Sequence, residues 1–159
     1  MVTSTLPTGW ALAPNGSLVG GGGLYLWTKT AAGGDSVSTT HNGSNFAVIF
    51  HFFEFAAGAV LQDCQNNSII ATAANFAISG LTGTTNIVMG AKAGSVASAS
   101  GSWNLSMTES LDINVPTVGT QGFWMGDAYL PNYSSATFQP TCTVASGTGN
   151  YESLTWAVK

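Results

Sequence analysis

The chain reads as all-β: an antiparallel β-sandwich, jelly-roll-like, in two pseudo-repeated halves. Three observations predict it. Apolar and aromatic runs are short and are bounded by Gly, Asn, Ser and Pro. The final run, Tyr151 to Lys159, alternates, with Leu154, Trp156 and Val158 on one side and Ser153, Thr155 and Lys159 on the other. No window carries a convincing helical period, so helix is expected to be minor. At 159 residues the chain suits a single domain with a real core.

Taken in order, residues 1–9 are polar and form an irregular arm. Trp10-Ala-Leu-Ala begins a short strand, ended by a turn at Pro14-Asn-Gly16. The glycine run 20–23 lets the backbone turn sharply into Leu24-Tyr-Leu-Trp-Thr-Lys29, a strand by β-propensity. Residues 36–40 suit an edge strand, and His41-Asn-Gly-Ser44 returns the chain by a hairpin. Phe46 to Phe55 is the most apolar run and is expected to be the central strand. Residues 56–74 read as a long connection, and residues 75–78 as a short strand. Strands are then expected at Asn86–Ala91, Trp103–Met107, Gly122–Tyr129, Thr137–Val144 and Tyr151–Lys159.

The order of elements recurs, about 10–55 and again 86–159. Each half has a Trp-x-Leu (Trp10, Trp103), a Val-Gly (Val19, Val118), an aromatic strand (Leu24, Phe123) and an Asn-aromatic lead-in (Asn45, Asn150) to its last strand. The two last strands differ on one face. Where the second has Ser153, Thr155 and Ala157, the first has Val48, Phe50 and Phe52. A strand apolar on both faces must be covered on both, so Val48, Phe50 and Phe52 are the candidate interface. The cover is either the 56–74 connection folding back or a neighbouring chain.

Only 6% of residues are charged and the net charge is −4. Lys29, Lys92 and Lys159 are the only basic side chains besides the two histidines, too few for a nucleic-acid footprint or an anionic-membrane patch. No run is long enough for a membrane helix, so no membrane insertion is expected. Plentiful aromatic and β-branched residues argue against disorder. So charge-poor a surface fits a protein held in an assembly or working outside a cell. The first residues lack the basic and apolar regions of a secretory signal.

Candidate chemistry is sparse. His41 and His51 have no metal-ligand spacing, and His51 reads as a structural, hydrogen-bonded histidine. Glu109 and Asp112 form a close acidic pair. A glycosidase needs two carboxyls about 5–10 Å apart. The pair is placed on a loop, where turn or cap roles are the commoner use. Gly-x-Ser-x-Gly, a phosphate-binding loop and a calcium loop are all absent, so no catalytic residue, cofactor or metal is assigned. Cys64, in a polar loop, and Cys142, in a strand, are two free thiols or one long-range disulfide. Trp10, Trp103 and Trp156 are expected in the core. Trp27 and Trp124 are left as candidates to stack on a sugar or anchor a subunit.

Pro7-Thr-Gly-Trp10, Gly23-Leu-Tyr-Leu-Trp-Thr-Lys29, the aromatic run ending at Glu54, and the close on Trp156-Ala-Val-Lys159 resemble β-sandwich domains of long-tailed phage virion proteins, of minor tail or decoration type. The resemblance covers most of the chain and rests on degenerate motifs. It implies a head-decoration or tail-surface component on the virion, assembled in the host cytoplasm with other virion proteins or copies of itself. It supplies no catalytic residue. In such proteins an apolar strand precedes each Gly-Trp; here only Asn86–Ala91 fits, so the expectation is either a chain that has lost an N-terminal strand or a position filled from elsewhere. The alternative on the same scaffold is a lectin-like module that binds a host-surface glycan.

Overall fold

The computed structural model describes residues 8–18, 24–34, 49, 51–70, 74–94, 96, 99–118, 121–145 and 150–159. Among them there is no helix, and every strand pairing is antiparallel. Eleven strands occur there: β1 Ala11–Leu18, β2 Leu24–Thr28, β3 Leu61–Ile70, β4 Ile78–Ser79, β5 Asn86–Gly94, β6 Gly101–Trp103, β7 Thr108–Val118, β8 Gln121–Tyr133, β9 Thr137–Phe138, β10 Cys142–Val144 and β11 Asn150–Val158. The main sheet runs β3-β11-β5-β8-β7. The hairpin β1-β2 lies over one of its faces, and the small pairs β4-β9 and β10-β6 lie over the other. This is sandwich architecture with one large layer.

The terminal strand alternates as its sequence requires. Leu154, Trp156 and Val158 join Leu24, Cys64 and Met89 in one core; Tyr151 and Ala157 enter the cores on the opposite face. Ser153 and Thr155 are buried too, so β11 is covered on both faces rather than half-exposed. Its flanking ladders with β3 and β5 make it the interior strand that the aromatic run was expected to be.

The described part of the aromatic run, residues 49 and 51–55, takes a different role. Val48 and Phe50 lie outside the described residues. Residues 51–56 carry no strand structure and cross the sheet face as a strap. Phe53 meets Trp156 edge-on, ring centroids 6.1 Å apart, and Phe55 packs into the same core. Phe52 is 56% exposed and stands edge-on to Trp10. The strap thus turns every second side chain, His51, Phe53 and Phe55, partly inward while its backbone stays out of the ladders. After a turn at Gly58, Val60 and Lys159 exchange backbone hydrogen bonds of 2.7 and 3.0 Å.

Other expectations need correction. The 56–74 connection contains β3, so Cys64 lies in a strand, opposite Trp156. The polar residues of β3 are used locally. Asn66 Nδ2 donates to the carbonyls of Asn15 (2.6 Å) and Ser17 (3.1 Å), which ties β1 to β3. Asn15, at φ 53°, sits in an irregularity inside β1 and does not end the strand. Trp103 ends β6, because the next turn holds Leu105 and Ser106 at positive φ. The single strand expected over 137–144 is two pieces, β9 and β10, separated by Gln139-Pro140-Thr141. The edge strand expected at 36–40 lies outside the described residues.

Glycines make room for the large indoles. A Cβ on Gly126 would stand 2.6 Å from Trp124 Cζ2, and one on Gly101 would meet the same atom at 2.6 Å and Cys142 Sγ at 2.9 Å. Gly90 does the same beneath Trp103. Gly126→Ala is therefore expected to overpack the core and cost about 1–3 kcal/mol in urea denaturation. An unchanged midpoint would refute that placement of Trp124.

Candidate functional site

Asp127 is the charged residue inside an apolar strand. It sits in β8 opposite Ala91 of β5 and Leu111 of β7, and its side chain is 1% exposed. A carboxyl buried there needs donors. Among the described residues it has two, from separate elements. His51 of the strap places Nδ1 2.5 Å from Asp127 Oδ2. The Ser110 hydroxyl donates to Asp127 Oδ1. A bulge explains the second donor. The register of β7 on β8 shifts between Glu109 and Leu111, which leaves Ser110 without a ladder partner and aims it at Asp127. His51 stacks obliquely on Phe53 at 4.2 Å, so polar clasp and apolar packing act together on one strap.

The same bulge brings the acidic pair to one face. Residues three apart on a regular strand point to opposite sides, but Glu109 lies opposite Ala128 and Asp112 opposite Gly126, both on the Trp124 face. Glu109 and Asp112 are thus on edge strand β7, not on a loop. Asp112 is already engaged: Trp124 Nε1 donates to it at 2.5 Å and the Gly101 amide at 3.4 Å. Partial desolvation, then Asp112 and Asp127, raises Glu109 above the ordinary carboxylate value.

The two tryptophans left open separate. Trp124 is 1% exposed, edge-on to Tyr151, and offers no ring face to a ligand. Trp27 is half-buried on β2 and stacks on Tyr25, with centroids 5.8 Å apart and planes at 28°. Leu24 and Leu26 turn into the core, which leaves Tyr25 and Trp27 on the outer side of the hairpin.

Lys92 is a second buried charge that sequence reading passed over. It is 0% exposed, its Nζ donates to the Cys142 carbonyl at 3.0 Å, and it lies 5.6 Å from the Tyr151 ring centroid. Burial lowers its pKa, offset in part by Cys142. Both cysteines are free and buried.

Chemically, these groups hold one another. A nucleophilic relay needs a hydroxyl that hands its proton to an imidazole. Here Ser110 and His51 converge instead on one carboxyl. Among the described residues, no group of three or more His, Cys, Asp or Glu side chains could hold a metal. The signals for Asp127 and His51 were present, as lone polar residues within aromatic runs, but their pairing spans 76 positions and no local pattern shows it. The chain matches no protein-family model, no curated protein and no solved structure.

Proposed function

We propose that the chain is a non-enzymatic structural component of a long-tailed phage virion. It would serve at the head or tail surface, in assembly or in attachment to the host. The observation that carries this reading is where the few charged groups lie. Only 6% of residues are charged, and Lys92, Asp127 and Glu152 are buried. The surface left over is built mainly of uncharged groups, with little like-charge repulsion to keep copies apart. The motif resemblance supplies the virion context.

The Tyr25–Trp27 pair favours a second reading, a lectin-like module whose outer aromatics stack on a sugar. A glycan array with the purified chain separates the two. A building block is expected to bind no defined sugar. Submillimolar binding that Trp27→Ala abolishes would decide for the lectin.

A further inference from the structure

We propose that the outer edge of β7 is a docking edge for the same edge of a second copy, paired antiparallel about a two-fold axis at Ile113. Among the described residues, β7 has a ladder partner on one side only, β8. Between the bulge at Ser110 and the register shift at Pro116 it keeps a regular stretch, Leu111–Val115, and an unpaired regular edge is a template for another strand. One face of it is tied down: Asp112 accepts from the Gly101 amide, and Asn114 exchanges hydrogen bonds of 2.8 and 2.5 Å with Ala99. The other face carries the row Leu111, Ile113 and Val115, with Ile113 39% exposed.

The occupant follows from the charges and the apolar row. A two-fold axis sets one residue opposite itself, so each possible centre gives one register. Centred on Ile113, the register sets Leu111 against Val115 of the other copy and Ile113 against Ile113. Asp112 then meets Asn114, and no acid faces an acid. Centred on Asp112, it sets two aspartates opposite each other. Centred on Leu111, it sets Ile113 against Glu109. Centred on Asn114, it leaves Leu111 outside the apolar row. Like charges directly opposite are unfavourable and apolar cross-strand pairs favourable, which selects Ile113. This names a partner within the assembly reading but rests on the strand edge, so either can fail without the other.

Directly opposed residues in such a pair have Cα atoms about 4.5–5.5 Å apart, inside the disulfide range. The test oxidises three variants of the full chain, each with one added cysteine and with folding verified by thermal melts: Ile113→Cys, Leu111→Cys and, as collision control, the exposed loop variant Thr84→Cys. The native thiols are buried and do not compete. Ile113→Cys is expected to form a disulfide dimer at least about tenfold faster than the control, since only position 113 meets itself. Leu111→Cys is expected to match the control. An Ile113→Cys rate equal to that of Thr84→Cys, or self-linking of Leu111→Cys above it, would overturn the proposal.

Discussion

His51→Ala is expected to destabilise the protein by about 3–5 kcal/mol, more than removing both members of its pair. The reason is an asymmetry in burial. His51 is a quarter exposed, while Asp127 is 1% exposed. Removing the histidine leaves a carboxyl in the sheet with, among the described residues, only the Ser110 hydroxyl as side-chain donor. An uncompensated buried group costs far more than the pair itself contributes. The lost ring contact with Phe53 adds to the damage. The double variant His51→Ala with Asp127→Ala removes the stranded group, so it is expected to be more stable than His51→Ala alone. Urea midpoints of the two variants decide the matter. A double variant that is less stable than His51→Ala, by the full sum of the two single effects, would mean that the clasp carries no coupling.

The second large effect is alkaline unfolding. Burial pushes both thiols up to about 12, aided at Cys64 by Asp63 and opposed at Cys142 by Lys92. In the unfolded chain they ionise near 9.0. Between those values the native state holds protons that the unfolded state has lost. Stability is then full below pH 9 and falls as pH rises toward 12. Three pH units correspond to about 4 kcal/mol for each thiol at most. Lys92 acts with the opposite sign. Its folded value lies below 10.5, so its charging penalty fades as pH rises to 10.5. The two trends partly cancel up to that point; above it the thiol loss remains, joined by a loss of the same sign from Tyr151, whose hydroxyl burial holds above the ordinary 10.0. The melting temperature of the wild type should therefore drop steeply above pH 10.5. The variant with Cys64→Ala and Cys142→Ala should show a much shallower slope. Equal slopes would refute thiol control.

Much of the sheet was legible where the strands are ordinary. β2, β5, β8 and β11 are rich in aliphatic or aromatic residues, and the alternation of Leu154, Trp156 and Val158 assigned a face correctly. β3 was not legible. Gln62, Asp63, Gln65, Asn66 and Asn67 have poor β-propensity, and ladder bonds to β11 and side-chain bonds to β1, β4 and Phe76 hold them in a strand. The case of β7 is different. Leu111, Ile113 and Val115 alternate plainly, but the acids Glu109 and Asp112 drew the reading toward a loop.

The misreading of residues 51–55 has a physical cause. Burying alternate aromatics satisfies a strap as well as a strand, because apolar burial has no direction and ladder hydrogen bonds do. Trp124 was left open as a ligand-stacking or anchoring candidate, because a tryptophan serves a core and an exposed face equally well. Its pocket is made by two residues with no side chain, Gly101 and Gly126. The clasp at Asp127 depends on a bulge and on a partner from a distant element, neither of which leaves a local signature.

Mass spectrometry of gradient-purified phage particles tests the virion assignment most directly. Peptides of this chain are expected in the particles, at a fixed ratio to the major capsid or tail protein across the gradient. Their confinement to the soluble fraction of the lysate would contradict it.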